Sequence, residues 1–198
     1  MNMVLSRVSE EQIGFVPPGL QVDVEELDEH NWKVLHAFDY QAQVDRYTVH
    51  RGQKTDFASV PRIFAWFIPT YGKYTKAAIL HDHLCELAHA GAFERRDADA
   101  IFRQAMRTLG VPFLRRWIMW AAVRWGAVAT KNGLRGWWRD APRVLLITIP
   151  FGALLAPAAI LVLATLIVWE VVEVVAWVPL KLMTATKRVN PPNPTWKT

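Results

Sequence analysis

From Val144 to Trp169 the chain carries no charged side chain. A run of about 26 such residues exceeds the roughly 20 that cross a bilayer core as a helix. In a soluble fold a segment this apolar must be covered on all sides, and 198 residues leave too little chain to cover it. The composition therefore predicts a membrane-embedded segment over residues 144–182. Pro150, Gly152 and Pro157 interrupt the run, as neighbouring helices in a membrane tolerate. The apolar pattern resumes after Glu170 and Glu173 and continues to Lys181, which fits either one long tilted transmembrane helix or a broken helical hairpin. Lys131, Arg135, Arg139 and Arg143 precede the run, and Lys181, Lys187, Arg188 and Lys197 follow it, so the basic flanks set no orientation.

Ahead of the run, residues 129–143 read as a juxtamembrane linker. Arg135, Arg139 and Arg143 recur every four residues beside Trp137 and Trp138, the pattern of a basic, indole-rich stripe at a lipid headgroup layer. A solvated basic linker is the alternative. The net charge of +5 collects largely around the apolar run, which favours membrane lipid as the partner, and no nucleic acid is expected. Residues 1–13 are polar and lack the basic-then-apolar form of a secretory signal, which places the globular domain on the cytoplasmic side. Cys85 is the sole cysteine, in agreement with a reducing compartment. The tail, residues 183–198, is proline-rich and expected to be disordered.

Residues 14–128 form the expected globular domain, of α+β class: a small antiparallel sheet followed by a three-helix unit. LQVDVEELD, NWKVLHAFDYQ and DRYTVHR mix alternating positions with β-branched and aromatic residues and read as strands. Ser59 and Pro61 fit the start of a short helix. Ala77, Leu80, Leu84 and Leu87 then recur at helical spacing between Lys73 and His89. A second helix is predicted from Ala98 to Leu109, with Gly110 as its stop, and a tryptophan-rich third one from Pro112 to about Val128.

The polar pair His81-Asp82 falls in the middle of the first helix, where burial of an imidazole beside a carboxylate is costly unless both are satisfied. Histidine is a general base near neutral pH, and a carboxylate on a neighbouring helix, Asp97 or Asp99, would orient it. Asp82, one residue on, points about 100° away around the helix and is placed to hold a cation. The plainer alternative makes His81 a hydrogen-bonded core residue and pairs Asp82 with Lys76 or Arg96. His81, Cys85 and His89 share a helical face, but ligands spread over two turns of one straight helix diverge too far for a single ion.

The order TDFASVP, YGKYTKAAILHDHL and ADAIF, spread over Val22 to Gly126, resembles a phage and prophage family known as domain of unknown function 1353. In those motifs Asp56, Ser59 and Lys73 are the polar residues that accompany the His-Asp pair. A looser similarity links the His-Asp helix and its partner to the catalytic helix pair of secreted phospholipases A2. That likeness implies His81 as the water-activating base, Asp99 as its orienting carboxylate, Asp82 as a Ca²⁺ ligand and Phe102 as a packing residue. Cys85 stands where that family has a tyrosine, and no glycine-rich calcium loop precedes the helix. Two functions follow as expectations. One is a membrane-anchored phage or prophage accessory protein acting in lysis, superinfection control or virion assembly, with other phage proteins as partners. The other is a phospholipase A2-like or cell-envelope hydrolase with a His81–Asp99 dyad. Neither requires a cofactor; calcium at Asp82 is an option that the phospholipase likeness alone brings in.

Overall fold

The computed structural model describes residues 13–29, 31–57, 67–69, 72–130 and 132–183. Ser59, Pro61 and the tail after Met183 lie outside them. The chain is α+β, with short strands first and helices after. Among the described residues six strands, β1 (Gly14–Val16), β2 (Val24–Glu26), β3 (Trp32–Val34), β4 (Phe38–Gln41), β5 (Arg46–Val49) and β6 (Lys54–Thr55), form two antiparallel three-stranded sheets. Their orders are β1-β4-β5 and β2-β3-β6. The run NWKVLHAFDYQ, which reads as one strand, is split between the sheets. Leu35 donates its N–H to Asp23 O, ending the pairing with β2, and Phe38 restarts opposite Val49 in the other sheet.

Helix α1 (Thr75–His89) follows the predicted periodicity, with Ala77, Leu80 and Leu84 buried and Leu87 half-buried against the core beside the buried Ala88. Helix α2 (Arg95–Thr108) starts three residues earlier than its apolar stripe suggests, so Arg95 and Arg96 belong to its first turn. Gly110 stops it as expected: its φ of 68° is open to glycine without a Cβ penalty, and Val111 N–H closes back on Met106 O. Helix α3 (Phe113–Val128) follows directly. Val34, Tyr40 and Val49 from the sheets meet Ile79, Leu80, Leu84 and Met106 from the helices in one core. Each such side chain contributes about 1.5–3 kcal/mol by leaving water.

Helix α4 runs without interruption from Trp137 to Met183, through Pro142, Pro150, Pro157 and Pro179. At 1.5 Å per residue it is about 70 Å long. Over Trp137–Pro179 it is long and apolar enough to cross a membrane, with a mean hydropathy of 2.5 in its most apolar window. The hairpin alternative is therefore not what the chain forms: the prolines are absorbed within one helix. The second half of the 129–143 linker also belongs to this helix. Trp137, Asp140, Ala141 and Val144 are buried, at the three- and four-residue spacing of a docking stripe. They seat the helix on α3, where Val144 joins Trp120 and Ala121 in a second apolar cluster.

Candidate functional site

His81 lies on the inward side of α1, 7% exposed, because Leu80 and Leu84 commit that side to the core. Asp99 is fully buried one turn into α2, between Ala98 and Ile101, which commit its side of α2 in the same way. The two helices bring His81 Nε2 to 2.7 Å from Asp99 Oδ1. Asp97, the other candidate, is exposed. Phe102 covers the imidazole, its ring centroid 4.7 Å away, in the packing role that the phospholipase likeness implies. With Nε2–H donating to the carboxylate, Nδ1 is the ring nitrogen left for a water.

Asp99 does more than orient His81. Its Oδ1 also accepts from Arg95 Nε at 3.1 Å, and its Oδ2 accepts from Arg124 Nη1 at 2.9 Å. Burial pushes this carboxyl up, but the hydrogen bond and charge of His81, with those of Arg95 and Arg124, more than offset it and hold it below the usual carboxylate range. Arg124 is itself fully buried and lies 3.6 Å from Asp140 of α4, which Arg96 grips at 2.9 and 3.2 Å. Trp137 Nε1 donates to Arg124 O at 2.8 Å. A polar chain, His81–Asp99–Arg124–Asp140–Arg96, thus joins α1, α2, α3 and α4. Sequence reasoning missed Arg124 and Asp140. The available signal was that Asp140 is the one acidic residue between Asp99 and Glu170.

Asp82 pairs with neither Lys76 nor Arg96. Its Oδ2 accepts from Thr55 Oγ1 at 2.5 Å, and the same hydroxyl oxygen accepts from Phe57 N–H at 2.9 Å. The Thr55-Asp56-Phe57 motif is thereby fastened to the His-Asp motif across the sheet–helix junction. Lys76 instead donates to Leu20 O. Asp56, Asp82 and Glu86 line a hollow of about 260 Å³. Burial, with the charges of Asp56 and Glu86, pushes the Asp82 carboxyl up to about 8. Asp82 is held by Thr55 here, and no step below passes through a calcium ion.

His89 is exposed and stands apart from His81 and Cys85. Ligand atoms of His81, Cys85 and Asp99 do lie within 4.8 Å of one another. Arg95 and Arg124 already occupy the carboxylate, however, and two guanidinium groups disfavour a cation there. Burial pushes the Cys85 thiol up to about 12, and its Sγ lies 3.4 Å from His81 Nε2. Lys73 is exposed before α1 and is not drawn into the site. Arg135, Trp138, Arg139 and Arg143 are exposed, whereas Trp137, expected beside them, turns inward and is buried.

Asp56, His81, Asp82, Cys85 and Arg95 border a cleft of about 1060 Å³ whose other walls are apolar apart from Thr148. Ile118, Met119, Ala122 and Gly126 of α3 form one side, and α4 forms the other from Ile147 to Leu163. The imidazole of a buried His-Asp pair therefore meets an apolar space against the long helix. No curated protein and no solved structure matches the chain, so the phospholipase likeness rests on the His-Asp helix pair alone. Residues 32–123, from β3 into α3, match the family described as a protein of unknown function, DUF1353.

Proposed function

We propose that the protein is held to a membrane by α4 and that its globular domain, on the cytoplasmic side, hydrolyses ester bonds of membrane or envelope lipid with the His81–Asp99 pair. The observation that carries this reading is that His81, 2.7 Å from Asp99, borders an apolar cleft whose far wall is the helix long enough to cross a bilayer. In this reading Nδ1 of His81 takes a proton from a water as the water oxygen attacks the ester carbonyl. Asp99 stabilises the imidazolium so formed, and His81 returns the proton to the departing alkoxide, giving a free acid and an alcohol. A positioned base of this kind contributes about 10²–10⁴-fold in rate. The biological setting we favour is that of a phage or prophage accessory protein acting at the host envelope.

One observation favours a second reading, in which the pair only locks helices together: Asp99 is also engaged by Arg95 and Arg124. Removal of Asp99 would disturb folding in either case, so the test uses His81→Gln. The full chain in vesicles of phosphatidylethanolamine and phosphatidylglycerol should release fatty acid, and His81→Gln should lower that release by about 10²-fold or more at an almost unchanged melting temperature. Equal release by both proteins, or none by either, would leave the lock.

A further inference from the structure

We infer that the cleft between α3 and α4 holds one acyl chain of an anionic membrane phospholipid, entering sideways from the bilayer, with the lipid head against Arg95. The inference rests on α4 being the membrane anchor and names what the proposed site receives. Three observations support that occupant. The stretch of α4 that lines the cleft, Ile147 to Leu163, rises about 24 Å, a long apolar trough and not a compact hole. The volume, about 1060 Å³, matches the upper range of ligand clefts, roughly 300–1,000 Å³. Among the described residues that line the trough Arg95 is the one cation, beside the carboxyls of Asp56 and Asp82; it spends Nε on Asp99 and places no other guanidinium nitrogen in a hydrogen bond with a described residue.

The shape arises from small side chains. Ala122 and Gly126 on α3 face Gly152, Ala156 and Ala159 on α4, so the two helices border a gap that larger residues would fill. One wall of that gap is the anchor helix itself, so a lipid reaches it without leaving the bilayer. Arg95 supplies fixed positive charge for a phosphate or for an ester oxygen as it becomes negative, and no metal ion is needed to do so.

The test uses the full-length His81→Gln chain, which cannot turn lipid over, in nanodiscs of phosphatidylethanolamine with phosphatidylglycerol that carries a photoreactive diazirine midway along one acyl chain. After illumination, adducts should map to Phe102, Ile118 and Met119 on the domain side of the cleft, besides outward residues of α4 such as Leu146, Leu154 and Leu161. Ala122→Trp, at an exposed position that tolerates bulk, should reduce the inner adducts about tenfold and leave the outward ones unchanged. Arg95→Gln should abolish any preference for phosphatidylglycerol over phosphatidylethanolamine carrying the same label. Adducts confined to outward residues, inner adducts indifferent to Ala122→Trp, a head preference unmoved by Arg95→Gln, or crosslinks between two copies of α4 across the cleft would each overturn the inference. Inner adducts together with no hydrolysis by the wild type would leave the lipid site standing and remove the hydrolase; hydrolysis without inner adducts would do the reverse.

Discussion

Replacing Asp99 with alanine should destabilise the fold far more than replacing the histidine it orients. Asp99 is fully buried and accepts three charge-assisted hydrogen bonds, from His81 at 2.7 Å, Arg95 at 3.1 Å and Arg124 at 2.9 Å. Arg95 can turn toward the cleft once released, but Arg124 has no exposed surface. After Asp99→Ala its nearest carboxylate is Asp140 at 3.6 Å, which Arg96 already holds. Nε and Nη2 of Arg124 lack hydrogen bonds even in the intact protein, so little spare pairing exists to absorb the loss. A buried pair broken from one side costs about 3–5 kcal/mol. At about 2–4 °C per kcal/mol for a chain of this size, the melting temperature should fall by on the order of 10 °C. His81→Gln removes one of three donors and leaves Asp99 paired with both arginines, a loss of about 1 kcal/mol. Tryptophan fluorescence of the full chain melted in detergent micelles reads both. A fall of under 2 °C for Asp99→Ala, or an equal fall for the two variants, would refute the reasoning that Arg124 depends on Asp99.

Asp82 should make stability fall with rising pH. Its folded carboxyl, up to about 8, lies above its ordinary 3.8, so the stabilisation is fully present below about 3.8, declines through the interval and is gone above about 8. Between pH 6 and 8 the wild type should lose up to about 1.4 kcal/mol per pH unit relative to Asp82→Asn, and parallel stability curves would contradict this. With its thiol up to about 12, Cys85 should alkylate about a thousandfold more slowly at pH 8 in the folded than in the unfolded chain, and rapid labelling of folded protein would refute its burial. If Asp82 holds no calcium, a chelator should change neither lipid hydrolysis nor the melting temperature, and loss of either would restore an ion to the hollow beside Thr55.

Much of α1 could be read from the sequence because one face, Ala77, Leu80 and Leu84, serves one core, so periodicity alone reports it. Gly110 was legible for a similar local reason, since a glycine after an apolar stripe needs no partner to act as a stop. The sheets were harder. NWKV and FDYQ differ little in composition, and which sheet each joins depends on β2 and β5, segments apart in the chain. The His81–Asp99 contact came from the likeness to a known helix pair, whereas residue types alone left Asp97 equally eligible. Arg124 was illegible because a basic residue in a tryptophan-rich helix looks like one that reaches for solvent. Its burial follows from two carboxylates on two other helices, Asp99 and Asp140. Trp137 likewise has the composition of a lipid-facing residue, yet its indole N–H finds Arg124 O once α4 starts early enough to turn it inward. In both cases the partner lies on a helix whose placement the local pattern does not specify.

If His81 activates water against a lipid ester, the oxygen of that water ends in the released acid. Wild-type chain in phosphatidylethanolamine and phosphatidylglycerol vesicles made up in ¹⁸O-water should release fatty acid carrying the heavy oxygen in its carboxyl group, and His81→Gln should release almost none. Absence of labelled fatty acid from the wild type, or the same labelled yield from both proteins, would contradict the account.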